Sequence, residues 1–217
     1  MPRELRYIAV EGPIGVGKTS LARRLAETLQ FELVLERAEE NPFLERFYRD
    51  PAANALPTQL HFLFQRARQA QEMRQADLFE GGRVADFLLD KDRIFARLTL
   101  PDEEYRLYEQ VYQGLALDAP TPDLVIYLQA PVEALMDRVR RRGIAYEQVV
   151  RPDYLRRLSE AYLDYFHRYD AGPLLIVNAA GIDPVNRDED YLDLLQRIRR
   201  MEGGRQYYNP IPFTATD

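Results

Sequence analysis

Short apolar runs alternate with amphipathic segments along the chain. Five runs rich in apolar and β-branched residues are predicted as strands: 6–10, 32–35, 83–85, 124–128 and 174–177. Between them, apolar residues recur at the helical spacing of three and four positions in the segments 19–29, 55–75, 132–139, 154–166 and 191–201. This alternation is typical of a parallel α/β architecture. The pattern therefore predicts a five-stranded parallel sheet flanked by helices.

The remaining segments carry little periodicity. Residues 178–190 are polar and interrupted by glycine and proline, which predicts a loop, and the tail from residue 203 onward has no clear period. No internal repeat or low-complexity linker divides the chain. Because 217 residues are the length of one domain, we expect residues 1–217 to form a single domain.

The composition excludes several classes of partner and chemistry. The chain carries 29 basic and 35 acidic residues and a net charge of −6, whereas a general nucleic-acid binder has a basic surface. Cysteine is absent, which excludes disulfides, thiolate metal sites and thiol nucleophiles. No apolar run approaches the length of a membrane span, and the N-terminus lacks a signal-peptide pattern. We therefore expect a soluble, cytoplasmic protein with neither nucleic-acid nor membrane partners.

A glycine-rich segment follows the first predicted strand and precedes the first predicted helix. Residues 12–19 fit the pattern G-x-x-x-x-G-K-[ST]. Glycines allow successive backbone N–H groups to surround a phosphate at a helix N-terminus, where the helix dipole also favours negative charge. Lys18, one of only two lysines in the chain, can contact the β- and γ-phosphates, and the Thr19 hydroxyl can bind Mg²⁺. We therefore assign the binding of a nucleoside triphosphate to this P-loop, formed by Gly12, Pro13, Ile14, Gly15, Val16, Gly17, Lys18, Thr19 and Ser20.

Two large classes of P-loop protein carry further signatures that this chain lacks. A switch GTPase needs an N-K-x-D segment, whereas the second lysine lies in Asp90-Lys91-Asp92. A motor ATPase is expected to have an apolar strand that ends in Asp, whereas the run 124–128 is followed by Gln129. A small-molecule kinase is the remaining interpretation.

Several further segments form a set that occurs in order along roughly residues 7 to 178. They are Glu36, residues 41–51 (NPFLERFYRDP), residues 59–66 (QLHFLFQR), residues 126–131 (IYLQAP), Arg138, Arg142, Gly143 and Glu147. This set resembles the bacterial deoxynucleoside kinases, the deoxyadenosine, deoxyguanosine and deoxycytidine kinase group. The resemblance implies a P-loop NTPase fold. It also implies transfer of the γ-phosphate of ATP, or of another NTP, to the 5′-hydroxyl of a deoxynucleoside in nucleotide salvage.

The resemblance implies two carboxylates at the reaction centre. Glu36 follows the second predicted strand, at the sheet edge where α/β folds bind ligands, and matches the family's general base toward the 5′-hydroxyl. Asp86 matches the acidic residue after the third strand, so Asp86 and Thr19 are expected to bind Mg²⁺. The family places an arginine directly after this acidic residue, whereas this chain has Phe87. Arg93 either takes over the role of that arginine, or the role is absent.

Four more residues match positions that hold the nucleoside in the family. Gln59 matches the glutamine that reads the base edge, since a carboxamide both donates and accepts hydrogen bonds. Arg66, seven residues later, lies on the same helix face and matches an arginine near the base and the catalytic carboxylate. Tyr48 and Glu147 match the pair that holds the 3′-hydroxyl and disfavours a ribose.

A cluster of arginines is expected to form a lid over the phosphates. Arg138 and Arg142 are four positions apart, so they share a helix face. They match the family's lid arginines, which contact the transferring phosphoryl group together with Lys18. We expect this lid at approximately residues 138–152. The resemblance also implies a homodimer formed through the long helices.

Two other functions remain open from the sequence. A nucleoside-monophosphate kinase related to thymidylate kinase would need more basic groups near the acceptor, and Arg37, directly after Glu36, is one. A nucleotide-binding regulator without phosphotransfer would not need Glu36 together with Arg138 and Arg142. The sequence does not decide the base or the phosphate donor, and the purine nucleosides deoxyadenosine and deoxyguanosine are our first expectation.

Overall fold

A parallel sheet forms the centre of the protein. The computed structural model describes residues 5–76, 81–89, 91–115 and 120–210. Its strands are β1 (Tyr7–Glu11), β2 (Glu32–Val34), β3 (Arg83–Ala85), β4 (Leu124–Gln129), β5 (Leu174–Asn178) and β6 (Arg205–Tyr208). Within these described residues, all six strands pair in parallel, in the order β2-β3-β1-β4-β5-β6.

The five predicted strands are confirmed, and the tail adds a sixth. β6 pairs with β5 at the edge of the sheet, in the segment to which the sequence assigned no structure. It is only four residues long and partly exposed, so an apolar alternation has too few positions to become visible. The prediction of five strands was therefore wrong by one short edge strand.

Helices pack around this sheet. Those in the described part of the chain are α1 (Lys18–Leu29), α2 (Leu44–Arg49), α3 (Pro51–Ala76), α4 (Lys91–Thr99), α5 (Asp102–Gly114), α6 (Val132–Arg142), α7 (Pro152–Arg168) and α8 (Asp188–Arg199). α1, α3, α6, α7 and α8 confirm predicted helices, whereas α2, α4 and α5 lie where no helix was predicted. None of these helices combines the length and apolar composition that crossing a membrane requires.

The central strands are buried on both faces. All of β1 and the first five residues of β4 are buried. Strands of a covered parallel sheet have apolar residues at successive positions and not only at alternate ones, which is the pattern seen here. α1 contributes four buried side chains to the same core: Leu21, Ala22, Leu25 and Ala26.

The strand order determines where a ligand can bind. The chain passes from β1 to β2 and β3 on one side and then to β4 on the other, so the order reverses at β1. Open α/β sheets bind ligands at such a reversal, beyond the carboxyl ends of the strands. This edge carries the glycine-rich loop after β1, Glu36 after β2 and Asp86 after β3. The predicted loop between β5 and α8 is confirmed at the same edge and spans residues 179–187.

Leu25 tests how tightly α1 packs against the sheet. Leu25 is 0% exposed, so we expect Leu25→Ala to lower the free energy of unfolding by about 2–5 kcal/mol through lost burial and a new cavity. Leu192→Ala on α8 is the matched control. Leu192 is 54% exposed, so this substitution should lower the free energy of unfolding by no more than about 0.5 kcal/mol. Urea denaturation measures both, and equal losses would contradict the packing described here.

Candidate active site

The loop between β1 and α1 is shaped by glycines. Gly12, Gly15 and Gly17 have φ angles of 147°, 83° and 103°, which favour glycine over other residues. A Cβ atom on Gly12 would lie 2.4 Å from the carbonyl oxygen of Leu128, and one on Gly15 would lie 2.8 Å from that of Leu135. Glycine is therefore required at both positions, and the loop lies directly against β4 and α6.

Lys18, the first residue of α1, folds back over this loop. Its Nζ atom donates hydrogen bonds to the carbonyl oxygens of Gly12 at 2.7 Å and Pro13 at 3.2 Å. Burial, and then the positive charge of Lys91, lower the pKa of Lys18 to about 8. An anionic ligand at the loop would therefore stabilise the charged ammonium.

Asp86 connects the loop to the end of β2. Its Oδ2 atom accepts a hydrogen bond from the Thr19 hydroxyl at 2.5 Å, and its Oδ1 atom accepts one from the backbone N–H of Glu36 at 2.7 Å. The side chain is almost fully buried. The structure therefore brings together the three residues that were predicted to meet at the reaction centre.

The Glu36 carboxylate lies between two cations. Arg66 donates a hydrogen bond to its Oε1 atom, and the Nζ atom of Lys91 donates one to its Oε2 atom at 2.6 Å. Burial favours the neutral acid, but Lys91 and Arg66 outweigh it and lower the pKa of Glu36 to about 2. Glu36 is therefore ionised at neutral pH, and each of its oxygens has a cationic partner.

The contact with Lys91 was not predicted from the sequence. Arg93, which was considered for the role of the missing arginine, is half exposed and pairs with Glu109 on α5. Lys91, the first residue of α4, reaches Glu36 instead. The available signal was its rarity, because the only other lysine in the chain is Lys18 of the phosphate loop.

Asp92 is a second residue that the sequence reasoning missed. Arg66 donates a hydrogen bond to its Oδ1 atom, and both side chains are almost fully buried. Burial, opposed by Arg66, raises the pKa of Asp92 to about 7. The Oδ2 atom of Asp92, the Nε atom of Arg66 and the Oε1 atom of Gln59 are buried without a hydrogen-bond partner among the described residues. Buried polar atoms usually have a partner, so these three atoms are available to a polar ligand or to water.

These groups line one cavity of about 500 Å³, which we call the inner cavity. Gln59, Arg66 and Glu36 lie along it, and its other residues include Tyr48, Tyr146, Arg142 and Glu147. The rings of Tyr48 and Tyr146 stack with their centroids 6.0 Å apart. Arg142 donates a hydrogen bond to the Oε2 atom of Glu147. The residues predicted for the base, the sugar and the reacting hydroxyl therefore share one space.

A second cavity, the outer cavity, has a volume of about 440 Å³. It is lined mainly by residues 15–21, Arg138 and residues 182–186. Arg138 donates hydrogen bonds to the carbonyl oxygens of Val16 at 3.2 Å and Ala179 at 2.7 Å. Helical spacing predicted a common face for Arg138 and Arg142. Both side chains line the outer cavity, and Arg142 lines the inner cavity as well. The two cavities have four lining residues in common: Gly15, Lys18, Thr19 and Arg142.

Comparison with known proteins identifies the family. The family model described as deoxynucleoside kinase matches residues 8–201. The chain belongs to the deoxynucleoside kinase family. It is 34% identical to a deoxyguanosine kinase of Bacillus subtilis, over 72% of this chain and 76% of the relative. It is 28% identical to a deoxyadenosine/deoxycytidine kinase of the same species, over 88% of this chain and 90% of the relative.

Solved structures agree with this assignment. The structure of deoxyadenosine kinase from M. mycoides with bound dATP has a TM-score of 0.77 and 25% sequence identity, and the match covers 88% of this chain and 98% of that chain. The comparisons confirm the predicted P-loop fold and the prediction of a deoxynucleoside kinase. They decide against the monophosphate kinase and the non-catalytic regulator.

The two lysines of this kinase test the charges in the site. Protein labelled with ¹³C at lysine Cε gives two signals, one from each lysine of the chain. The Lys91→Arg variant lacks the Lys91 signal, so the signal that remains belongs to Lys18. In the ligand-free kinase we expect Lys18 to titrate near pH 8, because burial and Lys91 disfavour its charged form. Lys91 should titrate above 10.5, because Glu36 and Glu11 outweigh its burial. NMR titration measures both pKa values, and a Lys18 signal that titrates at 10.5 or above would contradict this arrangement.

Proposed function

We propose that this kinase transfers the γ-phosphoryl group of ATP to the 5′-hydroxyl of a purine deoxynucleoside. The observation that carries the proposal is the meeting of the two cavities at Lys18, Thr19 and Arg142. The outer cavity adjoins the glycine-rich loop, and the inner cavity holds Glu36 and the unpaired polar atoms near Asp92. A donor in the outer cavity and an acceptor in the inner one would meet at the residues common to both.

The donor side combines backbone groups with cations. We assign the triphosphate to the loop from Gly12 to Ser20, where backbone N–H groups and the start of α1 favour an anion. Lys18 would exchange its two carbonyl partners for phosphate oxygens. Arg138 and Arg142 carry planar guanidinium groups suited to phosphate, and the hydrogen bonds of Arg138 to the loop backbone support its position beside the donor.

Thr19 and Asp86 fit the requirements of a Mg²⁺ site. Their oxygens lie 2.5 Å apart, and Mg²⁺ prefers hydroxyl, carboxylate and phosphate oxygens while it keeps several waters. Among the described residues, no cluster of three or more acidic or histidine side chains could hold a metal ion, so the proposed site relies on phosphate and water for its other ligands. Bound Mg²⁺ would neutralise phosphate charge, and the two side chains would orient it.

Glu36 orients the nucleophile in this proposal. A carboxylate with a pKa of about 2 is a weak proton acceptor, so its main role is to accept a hydrogen bond from the 5′-hydroxyl and direct that oxygen at phosphorus. Phosphoryl transfer passes through a loose transition state, in which the hydroxyl needs little activation. Each carboxylate oxygen has two lone pairs, so Glu36 can accept the hydroxyl while Arg66 and Lys91 remain bound.

The unpaired atoms favour a base that carries hydrogen-bond donors. Gln59 Oε1 is an acceptor, as is Asp92 Oδ2 when the carboxyl group is ionised, and Arg66 Nε is a donor. Adenine, guanine and cytosine have an exocyclic amino group that can donate to the acceptors, whereas thymine has none. The choice of a purine rests on the relatives, since the B. subtilis relative at 34% identity is a deoxyguanosine kinase and the M. mycoides structure is a deoxyadenosine kinase.

We assign Tyr48 and Glu147 to the 3′-hydroxyl. A phenol and a carboxylate can together donate to and accept from one hydroxyl. Tyr48 is stacked on Tyr146, and Glu147 is held by Arg142. These contacts support a crowded sugar site that disfavours the additional 2′-hydroxyl of a ribonucleoside.

A homodimer through the long helices is also part of the proposal. Phe64 on α3 and Leu107 on α5 are large apolar side chains with 50% and 48% of their surface exposed. α3 packs against α5, so both side chains belong to neighbouring helices. A contiguous apolar patch on these two helices would suit an interface between subunits.

A substrate panel tests the proposed function. With ATP and Mg²⁺, we expect kcat/KM for deoxyadenosine or deoxyguanosine to exceed that for thymidine by at least about tenfold, because thymine leaves one buried acceptor unpaired. Adenosine and guanosine are the matched controls for the sugar and should be poorer substrates than their deoxy forms. Steady-state assays measure all of these rates. Best turnover with thymidine, or turnover of dTMP alone, would contradict the proposal.

A further inference from the structure

Lys91 contacts the Glu36 carboxylate in a chain that has no arginine directly after Asp86. In the family an arginine directly follows the acidic residue after β3, whereas here Phe87 follows Asp86. Phe87 is fully buried, and its ring centroid lies 5.5 Å from the guanidinium carbon of Arg66. Lys91 is 5% exposed, and its Nζ atom lies 2.6 Å from the Oε2 atom of Glu36.

We propose that Lys91 is a positioning residue for phosphoryl transfer, which fixes the orientation of the Glu36 carboxylate and compensates its charge beside the donor phosphates. This inference rests on the proposed function, because Glu36 is the group that would contact the acceptor hydroxyl. Lys91 acts through Glu36. Its ammonium group has three N–H donors, and one of them is used by Glu36.

The position of Lys91 in the fold argues against a purely structural role. Lys91 is the first residue of α4, and a helix N-terminus carries partial positive charge, so a lysine there is unfavourable for the helix. Burial of its ammonium group is a second unfavourable contribution. The Glu36 carboxylate offsets both. Residues that oppose local preferences in this way are expected at functional sites.

The other charges around Glu36 show why a second cation is needed. The guanidinium group of Arg66 forms ion pairs with both Glu36 and Asp92. The ammonium group of Lys18 donates hydrogen bonds to carbonyl oxygens of the phosphate loop. Acidic and phenolic groups also face Glu36: Glu11 on β1, Asp86 after β3, Asp92 on α4, Tyr48 on α2, Tyr146 before α7 and Tyr162 on α7. Three further arginines line the inner cavity, Arg23, Arg37 and Arg142, of which Arg37 pairs with Glu40 and Arg142 with Glu147. Without Lys91, Glu36 would share one guanidinium group with Asp92 while it faces a triphosphate.

Kinetics of three variants test the inference. We expect Lys91→Met to lower kcat for the best deoxynucleoside by about 100-fold, which is the usual effect of removing one preorganised charge from an active site. The KM for ATP should change by less than about threefold. Lys91→Arg keeps the charge and should recover most of the rate. Arg93→Met removes a charge from the exposed face of the same helix and should keep wild-type kinetics.

Rescue by the conservative variant separates positioning from structural damage. Arginine keeps a positive charge beside the Glu36 carboxylate, so Lys91→Arg should regain most of the kcat that Lys91→Met loses. Wild-type kcat in Lys91→Met would overturn the inference. So would a loss of kcat that is equally large in Lys91→Arg.

A measurement without turnover distinguishes this inference from the proposed function. Absence of deoxynucleoside phosphorylation by the wild-type kinase would overturn the proposed function. The contact itself is then tested in ligand-free protein labelled with ¹³C at lysine Cε, where Glu36→Gln should lower the pKa of Lys91, since Glu36 is the largest influence that raises it. An unchanged Lys91 pKa in that variant would overturn the positioning role.

Discussion

The site depends on the pairing of one carboxylate with two cations. A buried carboxylate is strongly unfavourable unless it is paired, and each oxygen of Glu36 has its own cationic partner, Arg66 or Lys91. These pairs also connect elements of the fold, because Glu36 follows β2, Arg66 lies on α3 and Lys91 begins α4. The interaction that keeps Glu36 ionised therefore also sets the positions of the elements around the inner cavity.

The sheet supplies the geometry in which this charge arrangement is useful. Parallel strands end at one edge, so the segments that follow β1, β2 and β3 meet there. Asp86 links two of them, because it accepts hydrogen bonds from the Thr19 hydroxyl and the Glu36 backbone. The glycine-rich loop and the segment that carries Glu36 are thus held by the same few bonds. Positioning of this kind is the main requirement for phosphoryl transfer.

The parts of this architecture that could be predicted from the sequence depend on local signals. The phosphate loop with Lys18 is a contiguous motif, and placing Gln59 beside Arg66 required only helical spacing. The pairs of Glu36 with Lys91 and of Arg66 with Asp92 join residues 55 and 26 positions apart. Such pairs depend on how α3 and α4 pack, which no local pattern describes. The four residues of β6 are too few to give a periodic signal. Helical spacing alone could not show that Arg138 donates a hydrogen bond to the backbone of the glycine-rich loop.

The turnover of Glu36→Gln tests the central claim most directly. Glutamine keeps the size of the side chain but removes the charge that pairs with Arg66 and Lys91. We expect kcat for the best deoxynucleoside to fall by about 10²–10³-fold, while ATP affinity changes less than about threefold because the phosphate loop is intact. Glu45→Gln, at an exposed glutamate paired with Arg49, should keep wild-type turnover. Unchanged turnover in folded Glu36→Gln protein would contradict the account.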